Sequence, residues 1–260
     1  MEYLKHSLLA FHNIINRLPL DKTLFIALCV VPLCIFANEE ETVPEYPEKL
    51  KGSAEFGVIN TTGTVSTQHI YARTYAVNER KNWRWYSNVG GSRTLVSDDL
   101  VSKRFDSLLQ GDYKLLETDY FFVTLSYESD VYNGIRHRLG ETLGYGHKFL
   151  DDEAWENRLE LGFGYRHTIF EKNRNLTHVP IINVKGIIHY NFTEKSRFEQ
   201  SLAGNAGEDS TIWTSVTALE QSIIDNFALK VSHTIMYTDN PPPEVKKLYS
   251  VTYVVLIYNF

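Results

Sequence analysis

The last ten residues, Val251-Thr252-Tyr253-Val254-Val255-Leu256-Ile257-Tyr258-Asn259-Phe260, form one long apolar strand pattern. Val254, Leu256, Tyr258 and Phe260 recur at every second position, so an extended chain puts them on one face. The other face, with Val251, Tyr253, Val255 and Ile257, is apolar too. In water such a terminal strand is a bare hydrophobic edge that recruits other chains. Closing the sheet removes the edge, because the last strand pairs with the first, and the outer apolar face can then meet lipid.

The rest of the chain repeats one unit from Gly52 onward: a run rich in β-branched and aromatic residues, then a polar turn. Twelve runs are legible: 52–60, 66–77, 83–94, 101–116, 120–130, 135–149, 155–170, 178–192, 197–206, 211–223, 227–239 and 247–260. An even number brings both ends of the barrel to the same side of the membrane. Inner turns are expected at 78–82, 117–119, 151–153, 193–195 and 225–226, and outer loops at 60–63, 130–134, 171–175, 205–209 and 240–243. The alternation is clearest in 155–170, where Leu159, Leu161, Phe163 and Tyr165 oppose Arg158, Glu160, Gly162, Gly164 and Arg166. The fold expected is all-β: a closed antiparallel up-and-down transmembrane β-barrel of about 12 strands spanning 51–260. All outer loops read as short, with neither a long inward constriction loop nor a plug. Such a barrel is wider than the side-chain-filled eight-strand type and narrower than a sixteen-strand porin, roughly.

The other end of the chain agrees. Residues 23–37 are an apolar run preceded by Lys5, Arg17 and Lys22 and followed by Asn38-Glu39-Glu40-Glu41, the three-part order of a secretory signal. The run is shorter than the ~20 residues that a spanning helix needs. We read 1–37 as a signal peptide and the acidic, proline-bearing segment 38–50 as a periplasmic lead-in. Both cysteines, Cys29 and Cys34, lie in the leader, so the remainder has no disulfide or thiol chemistry. Tyrosine is the most abundant aromatic, at 16 of 34 Phe, Trp and Tyr residues, which suits rings seated at a membrane–water boundary. A net charge of −6 argues against nucleic acid as a partner.

The aromatic-x-aromatic ending, Val254, Leu256, Tyr258 and Phe260, resembles the C-terminal assembly signal of bacterial outer-membrane proteins, with Val255 where glycine is usual. That resemblance implies the barrel-assembly machinery as a partner. Five internal phrases, in order, carry a second one: Asn60-Thr61-Thr62-Gly63, Arg138 to Gly146 (RLGETLGYG), Leu161 to Arg166 (LGFGYR), Ala206 to Asp209 (AGED) and Val216 to Leu219 (VTAL). Together with the Tyr-Asn-Phe end they make 52–260 resemble the salt-induced outer-membrane protein family, an uncharacterised bacterial β-barrel family. It implies an outer-membrane address, with membrane lipid and lipopolysaccharide as surroundings. It implies no activity, cofactor or catalytic residue.

The candidate site is a set of interior charges: Glu128, Arg136, Arg138, Arg158, Glu160, Arg166 and Lys185. A hairpin about Asp151-Asp152 puts Arg138 opposite Arg166 and Glu160 opposite Gly144, with Glu128 facing Arg136. As a function, this is a basic stripe lining a path for an anionic solute, with glycines leaving room. As plain structure, it is an ion-pair network filling the lumen, and that reading carries more weight. No cofactor or metal site is expected, since the nine histidines lack ligand spacing. A barrel enzyme needs a His and a Ser on one outer face; no His-x-Ser occurs, and Ser232 and His233 point to opposite faces. The role expected is a narrow passive pore or an envelope-stabilising component linked to osmotic or salt stress. A lipid-modifying outer-membrane enzyme and a soluble periplasmic β-sandwich are the alternatives.

Overall fold

The computed structural model describes residues 49–260 apart from 63–65 and 173. The leader and residues 38–48 of the acidic lead-in lie outside the described residues. Twelve antiparallel strands follow one another in chain order. They are β1 (Lys49–Thr61), β2 (Thr67–Glu79), β3 (Trp83–Val96), β4 (Asp99–Lys114), β5 (Asp119–Asp130) and β6 (Ile135–Asp151). The second half comprises β7 (Trp155–Phe170), β8 (Leu176–Thr193), β9 (Ser196–Gly207), β10 (Thr211–Ile224), β11 (Phe227–Thr238) and β12 (Leu248–Asn259). Each strand pairs with its chain neighbours, and β12 returns to β1 to close the barrel. Every expected run falls on a strand. The end of the fourth run does not: Leu115 and Leu116 lie in the turn to β5.

Closure is made at one end by a reciprocal pair of backbone bonds, Gly52 N–H to Phe260 O at 3.0 Å and Phe260 N–H to Gly52 O at 2.9 Å. The Phe260 ring lies over Gly52, where any Cβ would collide with it. Val254, Leu256, Tyr258 and Phe260 all face outward and are exposed.

The outward face is apolar around the whole wall, from Phe121, Val123 and Leu125 on β5 to Leu159, Leu161 and Phe163 on β7 and Ile182 and Ile188 on β8. Exposed apolar surface on this scale belongs against hydrocarbon rather than water. At the end that carries Phe260, rings of adjacent strands touch: Trp83 on Tyr113 at 5.0 Å, Trp155 on Tyr190 at 4.4 Å and Phe227 on Tyr258 at 5.2 Å between centroids. This is the aromatic girdle of an outer-membrane β-barrel. The β2–β3, β4–β5, β6–β7, β8–β9 and β10–β11 turns lie at the same end as Phe260, the end that the sequence reading expects to be the inner one.

The outer connections depart from expectation in two places. Between β3 and β4 the loop is only Ser97 and Asp98, both left-handed (φ 51° and 70°), a tight hairpin turn that the sequence hides for want of glycine. Between β11 and β12, residues 239–247 do not stay at the rim. Pro242 packs against Gly134, where a Cβ would meet the Pro242 Cβ at 2.9 Å, and Lys172 lies 3.5 Å from Glu244. The β5–β6 turn that holds Gly134 is diametrically opposite the β11–β12 loop in the strand order. The loop therefore crosses the outer mouth, which corrects the expectation that no loop constricts it. Gly134 itself is left-handed (φ 78°), closing a short helical turn at Val131–Asn133.

Candidate functional site

The lumen carries charge at every level, and almost all of it is paired. Toward the inner end, Arg84 on β3 grips Asp112 on β4 through Nε (2.7 Å) and Nη2 (2.6 Å). Gln110 donates to Asp112 at 2.9 Å and also to Glu160 of β7 at 3.1 Å, so β4 is tied to a wall three strands away. Tyr120 donates to the same Glu160 oxygen at 2.8 Å, and Lys185 of β8 lies 3.9 Å from the other. Gln110, Asp112 and Glu160 are buried. Burial of this kind is tolerated only because each group finds partners.

A second chain runs around the closure. Lys230 of β11 donates to Glu55 of β1 at 2.9 Å, Tyr71 donates to the other Glu55 oxygen at 2.9 Å, and Arg73 donates to the Tyr71 hydroxyl at 2.9 Å. Arg73 continues to Asn88 (2.6 Å) and Asp106 (2.9 Å). Nearer the outer mouth, Arg104 and Arg138 share Glu128, at 3.2 and 2.9 Å. Close to the inner turns, His189 sits between Glu156 (3.2 Å) and Glu199 (3.5 Å), with Arg197 and Arg158 also on Glu156.

The expected residues do not meet as the simple hairpin suggested. Glu128 pairs with Arg138, not Arg136, and Arg136 turns to Glu171 at 3.5 Å at the rim. Arg138 lies opposite Thr168, and Arg166 opposite Gly140. Glu160 lies opposite Gly146 rather than Gly144. The β6–β7 turn spans 152–154 rather than 151–153, and the partners in mid-strand are displaced by two residues; the bulges at Lys148/Leu150 and Ile135/His137 each shift the register by one locally. A shift of two keeps every side chain on its own face, whereas a shift of one would have reversed them. Of the expected set, Glu128 pairs with Arg138 and Glu160 with Lys185, and Arg158 interacts electrostatically with Glu160 and Lys185. Arg166 is a separate anchor, bonded to Asn205 Oδ1 (2.6 Å), Asp209 and the Ser210 carbonyl (2.7 Å).

The glycines leave no open room. The rings of Phe122 and Tyr120 fill the space that Gly144, Gly162 and Gly146 provide. The groups that the sequence reading missed include Glu55, Arg73, Arg84, Arg104, Asp106, Gln110, Asp112, Asp130, Glu156, Arg197, Glu199 and Lys230. In β4 their signal is masked, because Leu108-Leu109 interrupts the polar alternation between Asp106 and Gln110.

On the outer, lipid-facing surface a cross-strand cluster also escaped the search along single strands. His233 Nδ1 lies 2.8 Å from Thr252 Oγ1, and its Nε2 lies 3.4 Å from Ser250 Oγ. Ser232 is buried on the opposite face.

Arg166→Ala tests whether that side chain serves transport or the wall. Arg166 is 3% exposed and leaves Asp209 without its cation when removed. The variant is expected to lose about 3 kcal/mol of unfolding free energy in a urea titration, as when one partner of a buried pair is deleted. An unchanged midpoint with altered ion selectivity would assign Arg166 to the solute path instead.

Comparison with known proteins decides the family. The chain belongs to the family described as "Protein of unknown function, DUF481", whose model matches residues 54–260. This DUF481 chain is 27% identical over 205 residues to the uncharacterized protein YdiY of Escherichia coli (strain K12), covering 77% of this chain and 81% of that protein. Among solved structures, it is similar to an outer membrane channel from Pseudomonas putida F1, with a TM-score of 0.52, 10% identity and coverage of 86% of this chain and 100% of that one. The NanC porin superposes with a TM-score of 0.49 and 6% identity, over 81% of this chain and 98% of that one. At these identities the likeness is one of fold.

Proposed function

We propose that the chain is a narrow passive pore of the bacterial outer membrane, made under osmotic or salt stress. One observation carries this: a polar, charge-paired lumen inside an apolar wall. A barrel that served only as a structural post gains nothing from buried polar side chains such as Gln110, Asp112 and Glu160, which an apolar filling would replace without cost. A hydrated path does need them. The Gln110–Glu160 link and the mouth-crossing loop keep the path narrow. On the outer surface, Arg93 and Lys103 pair across β3 and β4 near the outer turn, at the depth of lipopolysaccharide phosphates. We take Val254 to Phe260 as the contact with the barrel-assembly machinery.

Vesicle swelling tests the reading. Vesicles holding the refolded protein are expected to swell in salt and in small sugars but not in a tetrasaccharide, and cells are expected to raise the protein's level in high salt. No swelling in any solute, with the protein shown to be inserted, would contradict the pore. A second reading, a lipid-modifying surface enzyme, is favoured by the Ser250–His233–Thr252 arrangement alone. A phospholipase assay with Ser250→Ala as control decides it: activity lost in the variant would support the enzyme, and no activity in the parent would sink it.

A further inference from the structure

The seam between β1 and β12 is zipped only over its inner half. The ladder runs from Ser53 opposite Asn259 to Phe56 opposite Leu256 and stops. Both strands go on. β1 remains paired with β2 as far as Thr61, and β12 remains paired with β11 from Leu248. Gly57 still lies close to the Val254 carbonyl, and from Val58 to Thr61 the facing edges have no ladder. Val58 and Ile59 show the consequence: these neighbours point to opposite faces, yet they are 46% and 44% exposed.

The loop over the mouth joins β12 at this same outer end. Pro242 rests on Gly134 of the opposite wall, and Tyr249 interacts electrostatically with Arg104 of β4 and Asp130 of β5. The outer half of β12 stays in the ladder with β11 while its edge toward β1 is left without a ladder.

The two sides of this gap differ in chemistry. Inside lies the apolar part of the lumen: Tyr253 stacked on Tyr71 at 4.4 Å and on His69 at 5.5 Å, above buried Val255, Ile257 and Ala228. Outside, the lipid-facing wall turns polar beside the gap, with Asn60 opposite Gln68 on one side and the His233–Thr252–Ser250 cluster on the other. Unpaired backbone groups are not stable against hydrocarbon and require water or polar neighbours. The polar strip supplies them.

We propose that the outer half of the β1–β12 seam is a lateral portal. It admits the hydrocarbon chain of an outer-leaflet amphiphile to the aromatic site around Tyr253 and Tyr71, while the polar head stays at the Asn60–His233 rim. The portal concerns the wall, so it stands whether or not the lumen conducts ions.

The test uses a fluorescent bimane label on single cysteines, in full-length protein carrying Cys29→Ser and Cys34→Ser. Labels are placed on inward-facing Val251→Cys and, as a second variant from the other lip, Ile59→Cys. Val254→Cys serves as the lipid-facing reference and Ser126→Cys as the reference inside the opposite wall. Folding is verified by the heat-dependent gel shift. Bilayers contain phosphatidylcholine with a nitroxide on its acyl chain. Quenching at Val251 and Ile59 is expected to reach at least half that at Val254 and to exceed that at Ser126 several-fold. Protection of both labels to the level of Ser126 overturns the portal, whether the seam zips in the bilayer or a second copy of the chain fills the gap.

Discussion

Gly164→Ala is expected to unfold at a much lower denaturant concentration than the parent, a loss of about 3 kcal/mol or more. Added bulk in a tightly packed wall costs roughly 1–3 kcal/mol when side chains can yield. Here they cannot. A Cβ on Gly164 would run into the carbonyl of Glu141 and lies 2.8 Å from the Thr142 Cα, so the obstacle is backbone of the paired strand. Relief requires β6 and β7 to separate, which breaks ladder bonds inside the membrane, where no water replaces them. Gly186→Ala, one strand away, is the control. The nearest atom to its Cβ is Leu159 Cδ1 at 4.0 Å. Alanine there is expected to be neutral or to add about 0.5–1 kcal/mol by restricting the unfolded chain. Equal midpoints for the two variants would show that the β6–β7 glycines are not required by close approach.

Glu160→Ala carries the second large effect. It removes the shared acceptor of Tyr120 and Gln110 and the anion beside Lys185. The link between β4 and β7 is then cut. We expect conductance to rise at least twofold, and stability to fall by about 1–3 kcal/mol, less than a dry buried pair would lose because Lys185 remains partly wet. Glu160→Gln separates charge from geometry. Its amide oxygen still accepts from Tyr120 and Gln110, so the link survives while the charge is lost. That variant is expected to shift selectivity toward anions with little change in conductance. If both variants conduct like the parent, ions do not pass this level of the lumen.

How much of this was legible in the residues depends on period and on distance. The strands were, because side chains alternate at period two and one face must suit lipid; Leu159, Leu161 and Phe163 against Arg158, Glu160 and Gly162 could hardly be arranged otherwise. Closure was also legible, since only a partner strand makes Val254 to Phe260 tolerable. The faces of the candidate charges survived the two-residue register shift, but their partners did not. The placing of the turn at 152–154 and the bulge at Lys148/Leu150 depend on local geometry that no composition reveals. Contacts across the lumen, such as Gln110 with Glu160, were beyond reach because they depend on how the whole wall curves. The same holds for Pro242 against Gly134, which join segments over 100 residues apart in sequence. The cluster of His233, Thr252 and Ser250 was missed for a plainer reason: a search along one strand does not see residues that meet across two.

The central claim is that the lumen is a narrow hydrated path rather than a sealed packing of ion pairs. Single-channel recording of the refolded protein in a planar bilayer tests it most directly. The account predicts small, steady current steps that scale with salt concentration and grow when Glu160 is replaced by alanine. A silent bilayer, with the protein shown to be folded and inserted and the Glu160→Ala variant equally silent, would contradict it.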